Sequence, residues 1–380
     1  MGEDLDGLLE RGRGAGYLAA VERGRSASDA VLRCVFEDPR WDRQIESRAD
    51  YYASLLITLG ATPVQPIVEL LEQRERNEVW LAHDVLLQLA WRGHLGALAA
   101  AIERLRAGRI DANDLRNIGG QPLVERVCAL AGRSAPPEPL VGPRPTLEEL
   151  APSLDVEQLL ALLRGPEGQA RVLAARRLGA LDHADLLTEA KAFLLSQSVL
   201  PRERARERLS EQRPWMVYIE ALPGHRTLEL ARAWFHADWP LSIAAENILI
   251  EHAEPDDRAM LEAAGAKALA EQKNYRLSSI VDALKHLADP RSIPLLATIY
   301  REITYSYARE RVCNALLVHP ERADVQALVF EGLWDCEQWT RALACENVEP
   351  GRATARLREI EGDPFEHDDV RDAARTGLEH

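Results

Sequence analysis

One helix-period apolar pattern recurs along this chain, and that self-similarity constrains the architecture more than any single residue does. The stretch from Gly168 to Leu181 reads Gly-Gln-Ala-Arg-Val-Leu-Ala-Ala-Arg-Arg-Leu-Gly-Ala-Leu; Tyr307 to Leu316 and Asp369 to Leu378 have the same Ala/Arg/Leu character. Apolar residues three and four apart fall on one face of a helix, which must be buried against a neighbour. Short breaks follow at Asp182–Asp185, Pro223–His225, Glu254–Asp257, Ala288–Arg291 and Pro320–Ala323. The later breaks are spaced by about 30 to 35 residues, the length of two helices and two turns. No segment alternates apolar and polar residues over a strand's length with β-branched enrichment. The predicted fold is all-α, an elongated right-handed α-solenoid of antiparallel helix pairs.

Punctuation along the chain predicts its divisions. Gly12, Gly14, Gly16 and Gly24 weaken any helix in the first forty residues, so a frayed capping helix is expected there. From Ser47 the signals sharpen: a helix to Leu59 stopped by Gly60, another from Pro63 to Gln73, a third from Asn77 to Ala90 and a fourth from Leu95 to Ala107 before Gly108. Asp111 to Ala131 carries a poorer pair. Residues 133–145 hold five prolines in thirteen positions and are expected to be a linker, with Thr146-Leu147-Glu148-Glu149 restarting a helix by a capping box. The expected domains are therefore an amino-terminal helical region over 1–132, the linker, and a repeat array over 146–380.

Composition narrows the class of function. Net charge is −15, which disfavours a general binder of nucleic acid or of anionic membrane. The 42 Arg against 4 Lys, with abundant Ala and Leu, point to the coding bias of a G+C-rich bacterial genome, so arginine abundance is weak evidence of phosphate binding. Five scattered cysteines without a CxxC pair, an acidic start and no apolar run of membrane-spanning length are expected of a soluble cytoplasmic protein with buried thiols. The ten histidines form no metal-spaced cluster, and no motif calls for a cofactor.

The stretch Leu287-Ala288-Asp289-Pro290-Arg291-Ser292-Ile293-Pro294-Leu295-Leu296, with Arg309 and Ala315-Leu316 after it, resembles a HEAT repeat of the short bacterial, phycobilisome-lyase type. Val370 to Ala374 is similar to the first helix of such a repeat. The resemblance covers about two thirds of the chain and is strongest after residue 165. It implies a HEAT-like superhelix whose concave face is lined by the second helix of each pair. On that basis Asp256, Asp257, Glu262 and Glu302, with Tyr300 as an aromatic anchor, are expected to line an acidic groove, joined by Glu69, Glu72, Asp324 and Glu331. The expected function is a non-catalytic protein-interaction scaffold or regulator whose partner presents a basic surface.

Other clusters admit two readings. Trp41, Tyr51 and Tyr52, among Asp42, Arg43, Glu46, Arg48 and Asp50, have the composition of a binding hot spot, or else pack onto the amino-terminal cap. Trp234 and Asp238, four apart, would share a helix face, and HEAT-like alkylpurine DNA glycosylases use an aromatic–carboxylate pair of this kind. A bilin lyase on the same scaffold is the other enzymatic alternative. Neither a nucleophile elbow nor a phosphate loop is present.

Overall fold

The computed structural model describes residues 4–75, 78–138, 154–166, 168–200 and 202–379. The structure is 75% helix, and the described residues contain no strand. They divide into two compact units: Met1–Leu140 with Ile293–His380, and Val141–Ser292. The carboxy-terminal helices thus share a unit with the amino-terminal ones, not with the segment that precedes them, as a contiguous array over 146–380 required. Residues 139–145 of the expected linker, and the capping box at 146–149, lie outside the described residues.

The first unit begins with α1 (Leu5–Glu10), α2 (Gly14–Arg23), α3 (Ser28–Glu37), α4 (Ala49–Thr58), α5 (Val64–Gln73), α6 (Trp80–Trp91), α7 (Leu95–Arg106) and α8 (Ala112–Leu130). The local signals operate as read: Gly60 is left-handed at φ 61° after α4, and Pro63 caps α5. Asp111 closes a capping box with Asp114 at the start of α8, which breaks at Gly119–Gly120 ahead of Pro122. Helices α4, α6 and α8 pack side by side. Their inward faces, including Leu55, Leu56, Val85, Leu86, Leu89 and Val124, are fully buried.

The second unit contains α9 (Val156–Leu163), α10 (Gly168–Ala180), α11 (Leu187–Ser198), α12 (Arg202–Glu207), α13 (Leu209–Glu220), α14 (Gly224–Trp234), α15 (Leu241–His252), α16 (Arg258–Ala270) and α17 (Asn274–Leu287). Helix α9 pairs with α10, α11 with α13, α14 with α15 and α16 with α17, while α10, α13, α15 and α17 stack in a row. The first unit resumes with α18 (Ile293–Glu302), α19 (Ser306–Leu316), α20 (Ala323–Gly332), α21 (Gln338–Asn347), α22 (Pro350–Gly362) and α23 (Asp368–Glu379). These form three consecutive pairs whose second members, α19, α21 and α23, are adjacent. Among the described residues no single helix is long and apolar enough to cross a membrane.

The glycine-rich start is not a frayed cap. It is where the two chain segments of the first unit meet. A β-carbon on Gly12 (φ 65°) would fall 2.4 Å from Cys336 Sγ, and one on Gly14 would fall 1.9 Å from the Glu331 carbonyl oxygen. Only glycine permits this approach. The Cys336 amide donates to the Gly12 carbonyl at 2.9 Å. Buried arginines complete the seam. Arg13 donates to both Glu331 carboxylate oxygens, at 2.9 and 3.0 Å, and to the Arg301 carbonyl. Arg309 pairs with Asp335 at 2.7 Å and donates to the Arg11 carbonyl. Arg48 pairs with Glu46 at 2.6 Å and donates to the carbonyls of Glu10 and Thr304. The same Glu46 carboxylate accepts from the Ser306 amide at 2.9 Å. A guanidinium has donors enough to satisfy a carboxylate and a carbonyl together, which is why arginine suits a buried seam.

Electrostatics at the seam follow from burial opposed by pairing. Burial alone would push the Glu46 carboxyl up, but Arg48 and the amides of Asp42 and Ser306 hold it below the usual carboxylate range. Glu366 behaves alike: against its burial, Arg341 at 2.7 Å brings it down to about 2. Glu337 is the exception. Burial, with Asp335 adding to it, pushes its carboxyl up to about 7. The five cysteines are buried and free, and burial pushes the thiols of Cys34, Cys313, Cys336 and Cys345 up to about 12.

Candidate functional site

The row of second helices α19, α21 and α23 encloses a groove of about 550 Å³ in the first unit. Helical spacing places its lining. On α19, Tyr307 and Glu310 are three apart; on α21, Trp339, Leu343 and Glu346 fall on one stripe; on α23, Asp369, Asp372, Ala373 and Thr376 do the same. Ala342 and Ala373, both buried, form the floor and let the helices approach closely.

Four carboxylates face this groove, and none of its lining residues is Lys, Arg or His. Glu310 accepts from Asn314 Nδ2 at 2.9 Å, and Asp372 is paired with the exposed Arg375 at 2.8 Å. Glu346 and Asp369 are exposed and have no ion-pair or hydrogen-bond partner among the described residues. Trp339 keeps 43% of its surface in solvent, unlike the buried Trp215 and Trp234. Tyr307 lies 5.9 Å from Tyr305, whose ring is 5.1 Å from Trp41. The aromatic contacts thus run from Tyr307 through the buried Tyr305 to the 38% exposed Trp41.

The residues expected to line an acidic groove are placed differently. Tyr300 is fully buried, and its hydroxyl donates to the Leu328 carbonyl at 3.3 Å, so it cannot anchor a partner. Tyr52 is likewise fully buried, donating to the Leu9 carbonyl at 2.9 Å. Asp257 is buried in the 3-10 turn before α16, paired with Arg232 at 2.7 Å, while Asp256 beside it is exposed. Glu262 pairs with Arg258 at 2.7 Å and accepts from Ser292 at 2.8 Å. Glu302 is exposed at the last position of α18. The misplacement has one physical cause, a register shift of one helix. Because α16 pairs with α17, α18 with α19 and α20 with α21, the chosen acidic residues after 255 sit on or before first helices.

Trp234 and Asp238 do not form an aromatic–carboxylate pair on a helix. Trp234 is the buried last residue of α14, and Asp238 is exposed in the loop before the cis Trp239–Pro240 bond. The Trp41–Tyr52 cluster is mostly seam: Tyr51 donates to the Arg13 carbonyl at 2.8 Å, and Trp41 alone of the three aromatics reaches solvent.

Trp339, Glu346 and Asp369 escaped the sequence reading although their spacing was visible in it. Tyr307–Leu316 and Asp369–Leu378 stood out only as buried stripes, and what lies on the opposite stripe depends on which helix is second in its pair. No family model matches the chain, and neither the curated proteins nor the solved structures include a significant match.

Proposed function

We propose that this chain is a protein-interaction scaffold of the α-solenoid type, in which the α19–α21–α23 groove receives a positively charged segment of a partner protein. The carrying observation is the exposed Trp339 beside Glu346 and Asp369, two exposed carboxylates without an ion-pair partner among the described residues. Carboxylates gathered around one cleft repel one another, and an arriving cation relieves that repulsion while the field steers its approach. An exposed tryptophan adds desolvation energy at a central position, as interface anchors do. The stacking of second helices in each unit supports the solenoid reading, and with it the use of that row as a binding face.

The test compares the full chain, immobilised, with its Glu346→Gln/Asp369→Asn variant in lysate of the source organism. The wild-type chain should retain basic proteins that the variant loses and that 0.5 M salt releases, because screening shortens the reach of exposed charges to a few ångströms. An identical set of retained proteins on both would refute the assignment. Micromolar or tighter binding of duplex DNA at physiological salt with release of alkylated bases, abolished by Asp238→Asn, would favour the glycosylase alternative instead.

A further inference from the structure

The chain's own arginines show what Trp339 lacks, although Arg311 lies 6.0 Å from the centre of the groove's other aromatic, Tyr307. Arg92 is held between Asp50 at 2.7 Å and Asp363 at 3.2 Å, with its guanidinium 5.5 Å from the Phe365 ring centroid. In the other unit Arg276 lies 2.9 Å from Glu246 and 5.2 Å from the centre of Phe235. Each site combines carboxylate oxygens with an aromatic face, and each is filled by a guanidinium, which is flat, weakly hydrated and able to stack while it donates sideways. The groove offers the same pieces: the half-exposed indole of Trp339, with Glu346 two turns along the same face of α21 and Asp369 on the neighbouring helix. No cation of this chain covers Trp339 among the described residues.

Resting on the basic-partner reading above, we infer that the groove selects arginine over lysine, seating a partner's guanidinium on Trp339 while Glu346 and Asp369 attract its charge from the groove's walls. A lysine ammonium would gain the charge attraction, but as a compact and strongly hydrated ion it would gain less from the ring. Selection between the two therefore belongs to Trp339, whereas the carboxylates attract both.

Fluorescein-labelled decapeptides test this on the full chain at 0.15 M salt: one alternating Gly and Arg, one alternating Gly and Lys, one alternating Gly and Gln. The Arg peptide is expected to bind about tenfold more tightly than the Lys peptide, a difference of about 1.4 kcal/mol. Trp339→Ala should abolish that preference and Trp339→Phe should keep most of it, while Glu346→Gln/Asp369→Asn weakens both charged peptides. Trp339 is exposed, so these variants are expected to fold, and an unchanged urea midpoint verifies it. Equal binding of the Arg and Lys peptides, with both weakened by the carboxylate substitutions, would overturn arginine selection and leave the basic-partner reading standing. A preference that survives Trp339→Ala would also overturn it. Binding indifferent to every groove substitution, or absent, would overturn both.

Discussion

Replacing Arg48 with Met is the sharpest test of how the first unit is held together. The guanidinium and the Glu46 carboxylate are both inaccessible to solvent and lie 2.6 Å apart. Met fills a similar volume, so the main loss is not a cavity. It is the counter-charge of Glu46, together with the donors to the carbonyls of Glu10 and Thr304. Removing one partner of a buried pair costs about 3–5 kcal/mol, because the remaining charge is stranded. Urea denaturation at pH 8 should show a loss of that size. Hydrogen exchange should place it in residues 1–140 and 293–380, the unit that contains the seam. In the variant Glu46 loses the interaction that held its carboxyl low, and burial then raises it above the unfolded value. A raised carboxyl contributes stability at low pH that is lost as pH rises, so the deficit should shrink between pH 8 and pH 5. The double variant Arg48→Met/Glu46→Gln should recover about half of the loss, since Gln brings no charge and its one carbonyl oxygen can still accept from one of the two amides, Asp42 and Ser306, that Glu46 serves. A single variant within about 1 kcal/mol of wild type, or a double variant worse than the single, would show that the pair does not carry the seam.

Two further perturbations probe the same unit. Gly14→Ala places a methyl 1.9 Å from the Glu331 carbonyl and should destabilise by about 1–3 kcal/mol through forced separation of the segments. Gly351→Ala, in α22 with nothing within 4 Å, should instead stabilise by up to about 1 kcal/mol, and a shared sign in thermal melts would refute the close approach. Glu337, raised from 4.5 to about 7 by burial, favours folding below its unfolded value and loses that contribution as pH rises to about 7. Its stability difference from Glu337→Gln should accordingly shift against wild type by up to about 3 kcal/mol between pH 4.5 and pH 7, and a flat difference would show the carboxyl to be unperturbed.

What the sequence determined by itself was local. Gly60 and Pro63 act through their own backbone and nearest neighbours, so the helices they delimit were legible without any tertiary knowledge. Apolar periodicity likewise marks Ala174, Leu178, Val312, Leu316, Ala373 and Leu378 as inward, because a helix face is set by residue spacing alone; the first five are buried and Leu378, near the end of α23, is half-buried. Pairing is not local. Whether a helix is first or second in its pair depends on which neighbour it packs against, and a shift of one helix moved the expected acidic face from α19, α21 and α23 to residues that are buried, paired or on the other row. Partition between the units is less local still. Gly12 and Gly14 weaken a helix when read alone, yet they are what lets Cys336 and Glu331 approach, and that meaning exists only once residues more than 300 positions apart are brought into contact.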